Sequence, residues 1–462
     1  MAAEALDGHE LSVAPVIVGA VHAWPAPQVP QLPGSPSAGP IRVHDSSTSE
    51  LVEAAPGPQA RLYACGITPY DATHIGHAAT YVAFDLLVRA WIDAGKEVVY
   101  ASNVTDVDDP LLERARETGV DWRELAASQV ALFREDMTAL GVVPPRTWTG
   151  AVESVPDVAR AVAALLESGA AYRVPLEAGA GGDAPDLGDV YADLTADPGF
   201  GSVAGLDRAQ ALVTFAERGG DPDRDGKKDA LDPLLWRRER PGEPAWDGGA
   251  LGTGRPGWHI ECAVIARDGL GLGGADQADA GAGFDVQGGG CDLLFPHHEM
   301  STSHLRLLTA GDGARPVAAR THVHAGLVAY QGEKMSKSLG NLVLVSRLRE
   351  AGHDPMAIRL ALLAHQYRAE WEWDDATSLA DGEARLVRWR DAVSGNGGPA
   401  AAETLERVRA ALADDLDAPA ALTAVDAWAD RALDPARDTA QDEEGAPGVI
   451  ARTVNALLGV RL

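Results

Sequence analysis

The chain has 462 residues, 46% apolar and 23% charged, enough to bury more than one core and ordinary for a globular fold. Lys and Arg number 39 against 68 Asp and Glu, a formal charge of −29 that repels polyanions and argues against nucleic acid as a partner; short pieces such as Arg237-Arg238-Glu239-Arg240 do not offset it. The apolar stretch Leu11–Trp24 lacks a basic flank and is broken by Pro15 and His22, so neither a signal peptide nor a membrane span is expected; the scattered Cys65, Cys262 and Cys291 fit free thiols or metal ligands in a cytoplasmic protein.

Residues 1–60, rich in Pro, Ala and Gly, read as an extended arm. Order is expected from Arg61. LYAC is a short strand ending at Gly66, and a turn leads into a helix from about His74, with Tyr81, Phe84, Val88 and Trp91 at helical spacing and a stop at Gly95. VVYASN follows as a second strand, so strand, crossover helix and strand make the unit of a parallel sheet. Helical patterns fill about 108–168, and the Gly/Ala/Asp-rich LEAGAGGDAPDLGD marks an insertion placed at about 150–250. Sheet grammar then returns with a helix in WHIECAVIARDGL, a strand FDVQ ending in three glycines, a helix from about Phe295 and one strand over HVHAGLVAY. Beyond that the pattern is helical. The expected fold is therefore α/β: a Rossmann-like parallel-sheet catalytic domain over 61–345, split by the insertion and followed by a helical bundle over 346–462.

Two clusters carry phosphate chemistry. His74-Ile-Gly-His77 falls at a helix start just after a strand, where free backbone N–H groups and the helix dipole favour anions. Lys334-Met-Ser-Lys337-Ser338 sets two ammonium groups and two hydroxyls between Gly332 and Gly340, on a loop able to close over a triphosphate. The two clusters are expected to grip one ATP from opposite sides. Asp221 to Asp232 has the acid spacing of a calcium loop in its first half, but it ends in Asp and meets Pro233; an acidic surface turn is the plainer reading.

In this order, after sheet strands, the clusters resemble the HIGH and KMSKS signatures of class I aminoacyl-tRNA synthetases. YACGITPYDATHIGHA, NVTDVDDPLLERA, GRPGWHIECA and FDVQGGGCDLLFPHHE look more narrowly like the cysteinyl-tRNA synthetase family over about residues 60–345. That resemblance makes His74, His77, Lys334 and Lys337 the catalytic set and implies one zinc ion on Cys65, Cys262 and His297. From the residues alone, His298 could replace His297, and both thiols could be small buried hydrophobes. Three protein ligands leave a fourth position for a substrate thiolate, which would select cysteine over serine without editing.

Three departures separate the chain from tRNA charging. Ser301 stands where those synthetases have a further zinc-binding Glu; CGPTVYD becomes CGITPYD; and the chain after Ser338 is expected to be too short for an additional anticodon-binding domain. All three match a sister family, the ATP-dependent cysteine:glucosaminyl-inositol ligases of mycothiol biosynthesis, which ERGGDP at Glu217–Pro222 and the N-terminal WPAPQVPQLPG also resemble. The resemblance implies that ATP with Mg2+, L-cysteine and glucosaminyl-inositol are the partners of a monomer. It also implies a cysteinyl-adenylate pocket of Cys65, Gly66, Ile67, Thr68, Thr80, Asn103, Val104, Thr105, Trp258, Gly290, Cys291, Asp292 and Val328. The general base for the amide-forming step stays open between the adenylate phosphate and Asp292. A synthetase without its anticodon domain, or a non-catalytic cysteine or zinc sensor, are the other readings; intact HIGH and KMSKS count against the sensor.

Overall fold

A computed structural model describes residues 21–34, 39–71, 73–176, 187–272, 283–310, 316–335 and 340–462. Inside the stretch expected to be an arm, β1 (Arg42–Asp45) and β2 (Glu50–Glu53) pair as an antiparallel hairpin. The catalytic half then builds through β3 (Gln59–Ile67), α1 (Ile75–Asp93), β4 (Glu97–Val104), α2 (Asp109–Thr118), α3 (Trp122–Leu140), β5 (Thr147–Gly150) and α4 (Ala151–Ser168). Between α4 and the return of the sheet lie β6 (Ala171–Val174), β7 (Asp189–Ala192), α5 (Arg208–Glu217), β8 (Leu234–Arg238) and β9 (Gly254–Pro256), whose strands form an antiparallel sheet in that order. The sheet resumes with α6 (Trp258–Gly269), β10 (Phe284–Gly290), α7 (Glu299–Thr309) and β11 (Ala319–Ala325).

The central sheet is five-stranded and parallel, in the order β11-β10-β3-β4-β5. From β3 the chain winds outward to β4 and β5; after the insertion it restarts on the other side of β3 with β10 and β11. The order therefore reverses between β3 and β10, and the carboxyl ends of these two strands open a crevice, the usual ligand position in such sheets. One face packs on α1 and the C-terminal helices, with Phe84, Trp91, Trp389 and Trp428 in the core; the other packs on α4 and α6 through Val162, Ile260 and Leu165.

Two expectations differ from the structure. HVHAGLVAY is two strands: the chain leaves the first sheet at Gly326, where a Cβ would stand 2.2 Å from the Ala369 carbonyl, and β12 (Val328–Tyr330) joins β13 (Glu333–Lys334) and β14 (Trp371–Trp373) instead. The helix expected from Phe295 becomes regular only at Glu299, because Phe295 precedes a proline and is extended, at φ −137° and ψ 137°. The C-terminal part is helical as expected: α8 (Val345–Glu350), α9 (Pro355–Leu363), α10 (Ser378–Ala392), α11 (Ala402–Ala413), α12 (Ala418–Leu433) and α13 (Ala446–Leu458). No helix among the described residues is long and apolar enough to cross a membrane.

A buried ionic joint ties the two halves. Asp85 of α1 accepts from Arg89 Nε at 2.7 Å, from Arg359 of α9 and from the Val143 amide at 2.7 Å. The guanidinium groups also cap orphan carbonyls: Arg89 reaches Gly141 at 2.6 Å and Asn455 at 2.8 Å, and Arg359 reaches Leu458 at 2.6 Å and Leu140 at 2.9 Å. Burial alone would raise the Asp85 pKa; Arg89 and Arg359 overcome it and hold the carboxyl below its ordinary range. Asp85→Asn leaves two buried cations short of their anion and is expected to cost about 3–5 kcal/mol in urea unfolding, whereas Arg407→Ala, removing the exposed Glu403 pair, should change stability by about 0.5 kcal/mol or less.

Among the histidines that burial depresses, His77 and His322 are held at about 4 and His304 and His324 at about 3. Below about pH 6.5 the unfolded chain binds protons that the folded chain refuses, so stability is full above that pH and falls as pH drops through it. The urea midpoint should be flat from about pH 7 to 8.5 and decline below about 6.5, each histidine contributing up to about 1.4 kcal/mol per pH unit, partly offset by Asp106, Asp108 and Asp136, which burial raises to about 6 and which act with the opposite sign. A midpoint unchanged down to about pH 4.5 would contradict this burial.

Candidate active site

Beside the crevice, β3 and β4 run unusually close together at their carboxyl ends. A Cβ on Gly66 would lie 1.6 Å from the Asn103 carbonyl, so only glycine lets β3 run this close. Asn103 then fastens the two strands: its Oδ1 accepts from the Gly66 amide at 2.8 Å and the Tyr63 hydroxyl at 3.0 Å, and its Nδ2 donates to Thr105 Oγ1 at 3.1 Å. Across the crevice, β10 ends in glycines packed hard against side chains; a Cβ on Gly289 would meet His298 Cε1 at 2.9 Å.

His74 caps α1. Its Nδ1 accepts from the His77 amide at 3.3 Å, and the two imidazoles stack at 3.8 Å. Burial is the main reason that His74 is held well below, and His77 at about 4 against, the ordinary imidazole value, so both rings are neutral at pH 7 and each offers one N–H. His77 Nδ1 is buried without a hydrogen-bond partner. Across the chamber Lys334 of β13 is exposed and meets Asp292 at 3.1 Å. Lys337 lies outside the described residues.

At the other end stand the thiols. Cys65 from β3, Cys262 from α6 and His297 before α7 are all buried, and their ligand atoms lie within 4.8 Å of one another, the one such group among the described residues. His297 Nε2 is 3.2 Å from Cys262 Sγ, and His259 Nδ1 holds the other ring nitrogen at 3.0 Å. The hydrogen bond from Cys65, aided by His297, lowers the Cys262 pKa well below that of a free thiol, while burial pushes Cys65 up. Two adjacent thiols, one of them held toward its thiolate, and an oriented imidazole suit a soft or borderline divalent cation. His298, the alternative ligand, touches Cys65 Sγ at 3.2 Å, but its other nitrogen is tied to His324 Nε2 at 2.8 Å and it stays outside the three-ligand group. Ser301, in the position of the synthetase Glu, bonds Gln287 Nε2 at 3.0 Å.

These residues line one chamber of about 390 Å3, with Cys65, Gly66, Ile67, Thr68, Thr80, Asn103, Thr105, Trp258, Gly290, Asp292, His297 and Val328 in its wall beside His74, His77 and Lys334. Cys291 is half-buried outside that wall, and the Val104 side chain belongs to the core. Trp258 faces His297 at 4.5 Å between ring centres. Thr80 Oγ1 donates to the Gly76 carbonyl at 3.1 Å, which leaves its lone pairs free.

The residues that position this wall were not singled out by their sequence. Arg218, in ERGGDP, donates to the carbonyls of Asp292 and Phe295, the latter at 2.7 Å. Glu299 accepts the amides of Gly201, Val203 and Ala204 at 2.8, 3.0 and 2.8 Å, pinning the insertion to the start of α7. Both hold the segment that carries His297. An HHE run after a proline is the signal that could have marked Glu299. Asp221–Asp232 is no calcium loop: the Lys227 ammonium fills it, 3.0 Å from Asp221 Oδ1 and 2.8 Å from the Ala230 carbonyl.

Residues 52–381 match the catalytic domain of class I (C) tRNA synthetases. Curated relatives include the L-cysteine:1D-myo-inositol 2-amino-2-deoxy-alpha-D-glucopyranoside ligases of Sanguibacter keddieii, 71% identical over 95% of this chain and 99% of that one, and of Streptomyces scabiei, 58% identical over 96% and 100%. Among solved structures, Mycobacterium tuberculosis methionyl-tRNA synthetase with methionyl-adenylate matches at TM-score 0.56 and 16% identity, covering 86% of this chain and 89% of that one. The Agrobacterium radiobacter K84 agnB2 LeuRS complex with tRNA and LeuAMS matches at TM-score 0.60 and 13% identity, covering 88% and 84%; at these identities the likeness is one of fold. With relatives this similar over nearly their whole length, and a chamber built at the switch point of a synthetase sheet, the chain belongs to the family of L-cysteine:1D-myo-inositol 2-amino-2-deoxy-alpha-D-glucopyranoside ligases.

Proposed function

We propose that the chain activates L-cysteine with ATP and joins it to the amine of glucosaminyl-inositol, releasing pyrophosphate and AMP, in mycothiol biosynthesis. The observation that carries the first half is a single chamber with a thiol-rich, cation-ready cluster at one end and an imidazole-capped helix N-terminus facing a lysine at the other. The second half rests on the near full-length similarity to ligases of that name.

Cys65, Cys262 and His297 would hold one zinc ion. When bound, zinc supplies a Lewis acid that a cysteine thiolate ligates far better than a serine hydroxyl, which makes the choice of amino acid a matter of coordination. The amino acid's carboxylate attacks the α-phosphorus and pyrophosphate departs. His74 and His77 donate N–H bonds to phosphate oxygens at the positive end of α1, and Lys334, with Lys337 by family resemblance, neutralises the leaving charge together with Mg2+. Trp258 and Asp292 flank the adenylate. The free amine then attacks the acyl carbon, the bond from that carbon to the phosphate oxygen breaks, AMP leaves, and the amine's proton passes to the adenylate phosphate or to Asp292.

The same reading takes 1–60, which carries the β1–β2 hairpin and the start of β3, as an N-terminal arm, 61–345 as the catalytic domain with its insertion at about 150–250, and 346–462 as a bundle, in a cytoplasmic monomer. The charge of −29 speaks against tRNA as acceptor.

Cysteine-dependent AMP release should occur with glucosaminyl-inositol and fail with cysteine tRNA; turnover with tRNA alone would return the chain to the tRNA synthetases. Purified protein should contain about one zinc per chain by atomic emission, and Cys262→Ala should lose it, with cysteine-dependent ATP–pyrophosphate exchange falling by about a hundredfold or more.

A further inference from the structure

A second and larger chamber, about 880 Å3, opens beside the adenylate chamber and shares Thr68, Tyr70, Trp258, Asp292 and Lys334 with it. Its far wall comes from the insertion: β7, the end of α5, Gly219–Asp221 and the strands β8 and β9. A small molecule held there has one end at the adenylate and the other among insertion residues.

Six acidic and six basic side chains line the space, for a formal charge of zero. Most are matched within the wall. Arg255 bridges Asp109 at 2.6 Å and Glu243 at 3.2 Å; Arg240 meets Asp189 at 2.8 Å; Lys334 meets Asp292 at 3.1 Å. Rows of matched carboxylates and guanidinium groups offer donors and acceptors side by side, which is what a ring of hydroxyls needs, without the net positive field that a polyanion needs. Trp258 adds a flat face against which a sugar ring can lie.

Asp108 is different. It caps α2, its carboxylate accepts the Asp109 amide at 2.8 Å, and it makes no ion pair among the described residues. It is half-buried in the wall of the larger chamber, which it shares with Thr68, Tyr70, Trp258 and Asp292, residues common to both chambers. A carboxylate in that wall with no ion pair of its own is suited to a cationic group of a molecule reaching from one chamber to the other.

Building on the ligase reading above, we propose that the larger chamber is the acceptor site, taking a polyhydroxylated amino sugar, and that Asp108 pairs with the acceptor's ammonium group as it binds, before that nitrogen gives up a proton to solvent and attacks as the free amine. The chamber's volume is ample for a two-ring polyol.

Asp108→Asn tests this. Asparagine caps a helix as well as aspartate and can accept the same amide, so the fold is kept while the charge is lost. Two assays are run on wild type and variant: ATP–pyrophosphate exchange without acceptor, and AMP release with glucosaminyl-inositol. The expected result is an acceptor KM raised about tenfold or more, as for loss of a hydrogen bond to a charged group, with the cysteine KM in exchange within about twofold of wild type. An acceptor KM that stays within about twofold overturns the inference, and so does a parallel fall of exchange and ligation, which would put Asp108 in the adenylate site. Failure of the functional reading shows separately, in the wild type, as exchange without turnover of the amino sugar.

Discussion

Everything at the site depends on two parallel strands, β3 and β10, lying side by side although more than 200 residues separate them in the chain. Their pairing brings Cys65 opposite the Gly288–Gly290 run and sets the start of α1 over the same crevice. Glycine is a geometric requirement here. A side chain at Gly66 would strike the backbone of β4, and one at Gly288 would strike the Phe84 ring at 2.3 Å. Without those close approaches the carboxyl ends would splay, and the thiols from β3 and α6 would lose their common focus.

The position of α1 is fixed from its other side by Asp85, Arg89 and Arg359. A buried ion pair of this kind is weak evidence for net stability, since desolvating three charges offsets much of their attraction. Its value is directional. The two guanidinium groups cap carbonyls at the ends of α3 and α13, so the helix that presents His74 and His77 is locked in register with the C-terminal helices. The bundle therefore serves the phosphate end of the chamber, while the insertion, through Arg218 and Glu299, serves the thiol end.

Much of this was legible in the sequence because the chemistry-bearing residues sit at strand ends and helix starts, positions that glycine and capping patterns announce. His74, His77 and Cys65 are of that type, whereas Cys262, in the second turn of α6, and His297 are legible through the family resemblance. The split of HVHAGLVAY was not legible, because the break at Gly326 is imposed by the Ala369 segment more than 40 residues on. The kink before α7 was written locally, in Pro296, yet the apolar run around it reads as helix. Arg218, Glu299 and His259 escaped notice for a common reason: each acts by bonding a backbone or a ring that only the tertiary fold brings near. Lys227 makes the converse point, since an acid spacing that suggests a bound metal is satisfied by the chain's own ammonium group.

The arrangement separates two selection problems that a tRNA-charging enzyme and an amino-sugar ligase share only in part. Both must pick cysteine, and a cation held by two thiols and an imidazole would do so by coordination, independent of what accepts the acyl group. On the proposed reading, acceptor choice lies on the other side of Trp258, in a space whose far wall comes from the insertion and whose charges cancel. A polyanion entering there would have to be desolvated against matched ion pairs that return no counterion-release gain, whereas a neutral polyol with one ammonium group meets partners for its hydroxyls and loses little solvation at its charged end. The overall charge of −29 extends the same bias to the approach from solution. A sheet of this kind can thus serve a different acceptor through the walls of the second chamber, the insertion and the start of α2, while the strand ends that face the amino acid stay the same.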